Sequence, residues 1–549
     1  ITGVCTATSF VGDGSTLTNL PAGGNSFEAV ADGAIVANRP VYINTSTGKV
    51  KQPSETTTTL ATPGAGQVTT HGNNDSREEG FCSIGGNYFW FGFKNGNSGD
   101  DMFGRLGTYS SNNDTFSLGT QSIVSGTTGG SNWITPVYDS TADRFMVVWR
   151  YGAGHTANLS YIVGNRSGTS LSYGTQAEFQ ATTNSNDHQH GASLNGAFDS
   201  DNRGCCWIWQ RVGVYETWCK PAQMSTSGNT ASIGSATTLL SGQNGIGGCD
   251  IVFDSNVNRY LAAYAFKTSG NEYKMTFRVG NPTSGTAISW GTEYTINHSS
   301  TQIEGPKLAF DPDSNLVLCI ANDKTNDNLV QYPLRITGGS TNTVALADSN
   351  APTIIESHGS GNYDIKYDVT ADKMVLFYRN ANNSSRPTAM LGTYSENYSG
   401  TNDYYTWGTA TQLHTSAVGN AGDEFSANGD VTTQPLAILP AGGRAIGYWK
   451  QGYPGSQTTS VIKTTETTHN ITGHYYVGFS DAAYSDGQTV TVKTEGNVVG
   501  GFSGLTPFTA VYGDTQGNIT HSSSGAALSY QNLGHPISAD KIHIKVQYQ

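Results

Sequence analysis

Five segments of this chain repeat one pattern, in which an apolar residue and an aspartate precede a turn and a second apolar run. The aspartates follow one another at intervals of 60, 55, 57 and 57 residues, at Asp139, Asp199, Asp254, Asp311 and Asp368. The segment FCSIGGNYFWFGFK one period earlier, and LAILPAGGRAIGYWK one period later, keep the pattern without the aspartate. Such regular spacing indicates seven copies of one structural unit.

A second motif recurs out of phase with the first, as SLGTQ, SYGTQ, SIGSA, SWGTE and TWGTA. Its glycines are separated by 55, 60, 57 and 117 residues and are Gly119, Gly174, Gly234, Gly291 and Gly408. The last gap is twice the period, so the unit around Ala347 has lost the signature. With the apolar alternation between the motifs, each unit is interpreted as four short strands. Seven four-stranded units of this length predict an all-β chain built around a seven-bladed β-propeller.

The repeated aspartate is interpreted as a turn former, because its carboxylate can accept hydrogen bonds from the backbone of the turn that follows it. Calcium binding is the alternative. The segments DSDN and DPDS lack the longer ligand spacing of a calcium loop, so no metal site is predicted.

The last unit is short of one strand. After Lys450 only one further strand, at residues 458–464, fits before the chain changes character. The segment at residues 57–62 precedes the first unit and is predicted to supply the missing outer strand. Closure by an N-terminal strand would bring the two ends of the propeller together.

Composition excludes two classes of partner. The formal net charge of −13 and the lack of a basic run argue against nucleic acid, whose phosphates require a basic face. No apolar stretch approaches the roughly 20 residues of a membrane helix, so no membrane insertion is expected. The 7 cysteines show no CxxC spacing and are interpreted as reduced and mostly buried, with a Cys206 to Cys219 disulfide left open. No cofactor is predicted.

The flanks of the repeats carry a family resemblance. The pieces Gly33 to Val50, GFSDAAYSDGQTVTV, SGLTP and GHPISADKIHI resemble parts of one small β-domain common in tailed-phage structural proteins. The first 20 residues, ITGVCTATSFVGDGSTLTNL, resemble a segment of phage tail-fibre proteins. The resulting prediction is a fibre or attachment segment at 1–25, a small β-domain split between 26–54 and 466–549, and the propeller inserted at 55–465.

This resemblance implies a place for the protein. Such segments lie next to thin trimeric shafts, so the resemblance implies a homotrimer attached to other virion proteins. It implies assembly in the host cytoplasm and a final location on the surface of an extracellular virus particle. The resemblance covers about a fifth of the chain and does not assign a function to the propeller.

Candidate ligand-binding residues lie where strands meet one face of the propeller. The loops that enter the innermost strands contain His71, His188, His190, Glu304 and His358. One basic residue per unit ends the second strand, namely Lys94, Arg150, Arg211, Lys267, Lys324, Arg379 and Lys450. These groups form a predicted ring facing host-surface glycan. The alternative is that each basic residue is simply the first solvated position after an apolar strand.

Trp133 and Trp218 lie outside the regular apolar runs and are candidates for stacking on a sugar ring. Glycan hydrolysis needs two positioned carboxylates. Asp187, Asp250, Glu304 and Asp364 could reach the channel, but the sequence singles out no pair. The sequence therefore predicts a virion fibre or decoration protein that binds glycan and is not an enzyme. The alternatives are a virion-borne or secreted polysaccharide-degrading enzyme and a purely architectural virion subunit.

Overall fold

The structure is a computed structural model, and it describes most of the chain. The described residues are 26–44, 47–71, 76–95, 101–111, 114–125, 131–151, 158–181, 194–211, 214–298, 301–337, 342–357, 359–396, 403–415, 435–451, 456–469, 476–513, 517–521 and 532–547. They form two compact units, a flanking unit from residues 1–58 and 467–549 and a repeat unit from Thr59–Glu466. Both are all-β, and the one helix among the described residues is a 3-10 turn at Ala381–Asn383.

The flanking unit contains two five-stranded antiparallel sheets among its described residues. In the first, β1 (Ser26–Val30), β2 (Pro40–Ile43), β3 (Val50–Lys51), β37 (Tyr476–Ser480) and β38 (Thr489–Lys493) follow the order β1-β38-β37-β2-β3. In the second, β39 (Val498–Gly500), β40 (Val511–Gly513), β41 (Ile519–Thr520), β42 (Asn532–Ser538) and β43 (Lys541–Gln547) follow the order β39-β43-β42-β40-β41. In the first sheet β1 therefore pairs with β38 and β2 with β37, so this sheet contains strands of both pieces.

The repeat unit contains seven antiparallel sheets in its described part, numbered here repeat sheets 1 to 7. Sheet 1 has β5 (Ser76–Ser83), β6 (Tyr88–Asn95), β7 (Asp101–Ser110), β8 (Thr115–Leu118) and β9 (Ser122–Ser125); sheet 2 has β10 (Ser131–Asp139), β11 (Arg144–Tyr151), β12 (Asn158–Ser167), β13 (Ser170–Tyr173) and β14 (Ala177–Gln180). Sheet 3 has β15 (Leu194–Phe198), β16 (Cys205–Arg211), β17 (Glu216–Met224), β18 (Ala231–Ile233) and β19 (Thr237–Leu240). Sheet 4 has β20 (Gly245–Asp254), β21 (Arg259–Lys267), β22 (Tyr273–Ser284) and β23 (Ala287–His298).

The remaining sheets repeat this order. Sheet 5 has β24 (Ile303–Asp311), β25 (Leu316–Asp323), β26 (Asn328–Thr337), β27 (Thr343–Leu346) and β28 (Thr353–Ser357). Sheet 6 has β29 (Gly359–Asp368), β30 (Lys373–Asn380), β31 (Arg386–Ser395), β32 (Tyr404–Trp407) and β33 (Thr411–Gln412). Sheet 7 has β34 (Leu436–Ile438), β35 (Arg444–Gln451), β36 (Ser456–His469) and β4 (Glu55–Thr70), in the order β34-β35-β36-β4. This pairing confirms the prediction that an N-terminal strand completes the last unit.

Consecutive repeat sheets share their apolar cores. Trp90 of sheet 1 packs in one cluster with Trp149 of sheet 2, and Trp207 of sheet 3 packs with Met146 of sheet 2. Further clusters join sheets 3 with 4, 4 with 5, 5 with 6 and 6 with 7. Phe81 of sheet 1 lies in a cluster with residues of sheet 7. The described sheets therefore each bury both faces against neighbours, as the almost continuously apolar second strands require.

The repeated aspartates are turn formers, as predicted. In each case Oδ1 accepts hydrogen bonds from the backbone N–H groups two and three residues later, for example from Thr141 and Ala142 to Asp139 at 2.9 and 2.8 Å. Asp199, Asp254, Asp311 and Asp368 repeat this geometry. The carboxylate thus closes the turn between the first and second strands of its sheet.

The second motif has a steric cause that the sequence does not reveal. A Cβ on Gly174 would lie 2.1 Å from the carbonyl oxygen of Asn229, and one on Gly234 would lie 2.1 Å from that of Thr286. Both carbonyls belong to the following repeat sheet. For Gly408 the oxygen is that of Ala61, in the N-terminal strand β4. These glycines are needed because the backbones of adjacent sheets approach closely at this point.

We therefore expect Gly234→Ala to lower the free energy of unfolding by about 1–3 kcal/mol, the usual range for overpacking a close contact. Gly119→Ala is the matched control, because its Cβ would lie 3.3 Å from the nearest atom, the carbonyl oxygen of Leu106 in its own sheet. Urea unfolding followed by tryptophan fluorescence measures both variants. Equal losses of stability would show that the approach of the next sheet is not the reason for the motif.

Candidate carbohydrate sites in the repeat unit

The predicted basic residues lie at one end of the repeat sheets, where the first strand begins and the second strand ends. We call this end the entry face. Arg150 pairs in register with Asn132 at the start of β10, and Lys267 pairs with Gly245 at the start of β20. Lys94 and Lys450 occupy equivalent strand positions, but their side chains lie outside the described part of the structure.

Three of these cations stack on aromatic rings in three consecutive sheets. The guanidinium of Arg150 lies 4.9 Å from the ring centroid of Trp133, that of Arg211 lies 4.9 Å from Trp218, and the ammonium of Lys267 lies 5.3 Å from Tyr273. We call these six residues the aromatic arc. All six side chains are half-buried, so each presents part of its surface to solvent. The pairs are cation–π contacts, which hold the rings and charges in fixed positions.

Carboxylates neutralise part of the predicted ring of charge. Arg211 donates to Glu216 at 2.9 Å, and the indole N–H of Trp218 donates to the same oxygen at 2.8 Å. Lys324 lies 2.6 Å from Glu304 in an ion pair. Two of the predicted cations are thus in ion pairs. The sequence did not indicate these pairs, because each carboxylate lies on the strand next to that of its cation.

The remaining predicted residues have different surroundings. Arg379 donates to the hydroxyl of Ser385 at 2.8 Å. His71 Nε2 lies 2.7 Å from the hydroxyl of Thr459, and burial, with the charge of Arg105, lowers the pKa of His71 to about 4. The imidazole is therefore neutral at physiological pH. The predicted residues His188, His190 and His358, together with Asp187, lie outside the described residues.

A second feature lies along the channel between the first strands. Four residues before the turn aspartate, the repeat sheets place Thr135, Asn195, Asp250, Lys307 and Asp364, each 0–5% exposed. Several of these side chains bond the next sheet. Thr135 donates to the carbonyl of Leu194 at 2.7 Å, and Asp250 accepts from the N–H of Leu308 at 2.8 Å.

This arrangement brings together two of the carboxylates that the sequence left unpaired. Asp250 and Asp364 occupy the same position in sheets 4 and 6, with Lys307 of sheet 5 between them in sequence order. Burial raises the pKa of Asp250; the charges of Lys307 and Lys366 oppose this shift, and the charge of Asp364 adds to it. Lys366 also donates to Asp364 at 3.1 Å. The channel therefore contains two carboxylates and two ammonium groups close enough to interact.

A cavity of about 450 Å³ adjoins these charges. Its wall includes Asp250, Lys366 and Ser83, together with an aromatic group made of Phe81, Phe198, Phe253, Phe310 and Tyr367. Four of these aromatic residues directly precede the turn aspartate of their sheets. The cavity thus lies toward the turn end of the first strands, whereas the aromatic arc lies at their entry end.

Three carboxylates lie close together at the turns, and hydrogen bonds explain their position. Asp311, Asp313 and Asp372 place one oxygen each within 4.8 Å of one another. The hydroxyl of Tyr367 lies 2.8 Å from both Asp313 and Asp372, and Tyr405 donates to Asp311 at 2.7 Å. Hydrogen bonds from these two tyrosine hydroxyls account for the grouping of the three carboxylates.

Comparison with known proteins gives structural neighbours only. No family model and no curated protein matches the chain. The periplasmic gluconolactonase PpgL of Pseudomonas aeruginosa is 11% identical, with a TM-score of 0.41 over 71% of this chain and 97% of that one. An oligogalacturonate lyase in complex with manganese is 11% identical, with a TM-score of 0.37 over 79% and 98%. The NanB sialidase of Streptococcus pneumoniae is 10% identical, with a TM-score of 0.37 over 73% and 70%.

These comparisons correct one prediction. The sequence predicts that the protein is not an enzyme, and this is wrong against the comparisons, because the similar structures are a lactonase, a lyase and a sialidase. The physical reason is that the sequence showed no carboxylate pair, whereas the fold places Asp250 and Asp364 at equivalent positions of one channel. The described residues contain no helix that is long and apolar enough to cross a membrane.

Proposed function

We propose that the protein is a carbohydrate-directed component of a virus particle, which holds polysaccharide on the entry face of its repeat unit and cleaves it. The aromatic arc is the observation that carries this proposal. Aromatic rings bind the C–H faces of sugars, and neighbouring cations donate hydrogen bonds to hydroxyl or carboxylate groups. Three such pairs in consecutive sheets offer an extended surface, as a polymer requires.

The proposal includes a finer description of the fold. We take the seven repeat sheets as the blades of one propeller, inserted into the small β-domain formed by the two flanking pieces. The apolar clusters shared between consecutive sheets, and between sheets 1 and 7, support this description. A rigid ring of this kind presents loops and strand ends without large rearrangement on binding.

The virion location rests on the resemblance of the flanks to phage structural proteins. The interleaving of β1 and β2 with β37 and β38 supports the view that both flanking pieces belong to one domain. On this proposal the protein is a homotrimer bound to other virion proteins, and host-surface glycan is its partner. Sedimentation of the purified full chain tests the trimer directly, and a monomer at working concentration would contradict it.

Cleavage is favoured over binding alone by the environment of Asp250. Hydrolysis of a glycosidic bond needs one carboxylic acid that stays protonated and one carboxylate. Burial raises the pKa of Asp250, which is the direction that a general acid requires, and Asp364 is a second carboxylate in the same channel. Release of reducing ends from a panel of bacterial surface polysaccharides measures this activity. Activity retained in both Asp250→Asn and Asp364→Asn would remove these two residues from the reaction.

The binding test uses Trp218→Ala, for which we expect at least a tenfold loss of affinity for the polysaccharide that the wild type binds best. Tyr88→Ala is the matched control, because Arg166 lies 4.0 Å above the ring of Tyr88 at the turn end of the sheets. Affinity electrophoresis in polysaccharide-containing gels measures both variants. If the two variants lose affinity equally, or if the wild type binds none of the panel, the aromatic arc is not a glycan surface.

A further inference from the structure

One lysine of the channel is buried against the side-chain amide of another sheet. Lys307, in sheet 5, is 1% exposed, and Asn195, in sheet 3, is 0% exposed. The Nζ atom of Lys307 donates to Oδ1 of Asn195 at 3.5 Å. Lysine is almost never fully buried, because its ammonium group then loses the hydration that stabilises its charge. This contact therefore places a buried amine beside an amide that lies 112 positions away in the chain.

Backbone hydrogen bonds hold a carboxyl group beside this pair. Nδ2 of Asn195 donates at 2.8 Å to the carbonyl of Cys249, the residue before Asp250. Oδ2 of Asp250 accepts at 2.8 Å from the N–H of Leu308, the residue after Lys307. Burial raises the pKa of Asp250, and the charge of Lys307 opposes this shift, so the two groups are close enough to interact. An amine, an amide and a carboxyl group thus lie together in one buried place.

These three groups are the components of an amide exchange. A neutral lysine amine is a nucleophile, and a positioned carboxyl group can take its proton and pass one to a leaving group. The carbon open to attack is Cγ of Asn195, one C=O bond of about 1.23 Å from the oxygen that Lys307 contacts. Reacting atoms held about 3–3.5 Å apart are positioned for bond formation. The three side chains are 0–5% exposed, which keeps out the water that would compete with the amine.

We propose that Lys307 and Asn195 form an intramolecular isopeptide bond that joins sheet 5 to sheet 3. Lys307 first gives a proton to Asp250, and its Nζ then attacks Cγ of Asn195. The Nζ–Cγ bond forms and the Cγ–Nδ2 bond breaks. A second proton moves from Nζ to Nδ2 through the carboxyl group of Asp250, so that ammonia leaves and Asp250 keeps the first proton. Atoms and charge balance without an oxidant or a co-reactant.

The product removes a buried charge from the channel. A buried ammonium group is costly unless its charge is fully paired, whereas the new amide is neutral and the released ammonia passes into solvent. The bond also restricts the unfolded chain over the 112 positions between the two residues, in the way that a disulfide does. Both effects favour the linked chain over the unlinked one.

This inference goes beyond the proposed function and shares one residue with it. Asp250 is the general acid proposed for glycan cleavage, and it leaves the amide-forming step protonated, as a general acid must be. Acylation also removes the charge of Lys307, which opposes the raised pKa of Asp250. Asp250 thus acts first on Asn195, once, and afterwards on glycan.

Intact mass spectrometry of the denatured full-length chain tests the bond. We expect the wild type to be lighter than its sequence by the mass of one ammonia molecule. Trypsin should release the segments 167–203 and 279–324 as one cross-linked species, uncut after the acylated Lys307. A wild type of unmodified mass, or segments 167–203 and 279–307 recovered separately, would overturn the inference.

Lys307→Arg should restore the unmodified mass, because a guanidinium group stays charged and is not a nucleophile. This variant also identifies a different reaction, since Asn195 precedes Gly196 and could lose ammonia by cyclising onto its own backbone. Loss of ammonia that persists in Lys307→Arg would show that cyclisation and contradict the bond.

Lys366→Arg is the matched control. Lys366 is another lysine of the channel, and it donates to Asp364 at 3.1 Å. This variant should keep the loss of ammonia, and an unmodified mass in the folded variant would contradict Lys307 as the nucleophile. Thermal unfolding confirms that each variant is folded, and where one does not fold the peptide map of the wild type decides alone.

Asp250→Asn tests the carboxyl group, because it leaves both reacting side chains in place but cannot take the proton. We expect no loss of ammonia in this variant, and a complete loss would remove Asp250 from the step. The two proposals remain distinguishable. A cross-linked wild type that releases no reducing ends keeps the bond and removes the cleavage, whereas reducing ends released by a chain without the cross-link do the reverse.

Discussion

Asp368→Ala is expected to lower the free energy of unfolding by about 3–5 kcal/mol, because it leaves several buried donors without their acceptor and each such group costs about 1–3 kcal/mol. The carboxylate is 0% exposed. It accepts from the N–H groups of Thr370 and Ala371 in its own turn, from the N–H of Gly443 at 2.9 Å and from the hydroxyl of Thr464 at 2.5 Å. The last two donors belong to sheet 7, so this side chain joins sheet 6 to sheet 7.

Asp254→Ala is the matched control for this prediction. Asp254 closes the same turn in sheet 4, but among the described residues it accepts only from the N–H groups of Asn256 and Val257 in its own turn, at 2.9 and 3.2 Å. We expect a loss of about 1–2 kcal/mol, which is typical of a side chain that satisfies turn donors. Urea unfolding followed by circular dichroism compares the two. A loss at Asp254 as large as that at Asp368 would mean that the bonds to sheet 7 add nothing.

The repeat and its strands could be predicted from the sequence because both are periodic. Asp139 and its equivalents mark the same turn in five units, and the apolar second strands mark the cores between sheets. The second motif was equally visible, but its reason was not. Gly234 is required by the carbonyl of Thr286 in the next sheet, and a contact between units leaves no trace in the spacing within one unit. Ala347 occupies this position in sheet 5, and its carbonyl accepts from the N–H of Asp403 in the next unit.

The candidate sites were predictable only in part. The second strands end at Arg150, Arg211 and Lys267 as the repeat implies, but the stacking of these cations depends on rings from different strands. Trp133 is contributed by the first strand, whereas Trp218 comes from the third. The rings therefore do not occupy one position of the repeat, and the repeat pattern does not reveal the aromatic arc.

The polar position four residues before each turn aspartate could not be recognised from the sequence, for a different reason. The equivalent residues in consecutive sheets are Thr135, Asn195, Asp250, Lys307 and Asp364, five side chains of four chemical types. They share a place in the fold, four residues before the turn, but no residue identity. Asp250 and Asp364 were named as candidates from the sequence, and only the strand register places them at one level.

The flanking unit makes the second large prediction, which is that it folds without the repeat unit. Its two pieces share the first of its two sheets and both of its cores. Ala31 and Val50 of the first piece pack with Val490 and Val492 of the second, and Tyr42 of the first packs in the other core. A contiguous core and paired strands are what an independently folding domain requires.

The geometry also permits the join. The hydroxyls of Thr57 and Thr467 are 3.0 Å apart, and the hydroxyl of Thr468 donates to the carbonyl of Thr56 at 3.4 Å. Removing residues 59–466 and linking the ends through a short Gly-Ser turn should therefore close a hairpin without strain.

We expect this excised chain to show a β-sheet circular dichroism spectrum and a cooperative thermal transition. The matched control is the C-terminal piece alone, residues 467–549, which lacks β1 to β3 and leaves the apolar faces of β37 and β38 uncovered. That piece should show no cooperative transition, because a sheet deprived of its neighbouring strands cannot bury its core. Two outcomes would contradict the shared core: an excised chain without a transition, or a C-terminal piece that melts at the same temperature as the excised chain. In the second case the N-terminal strands would be additions to a domain that is complete without them.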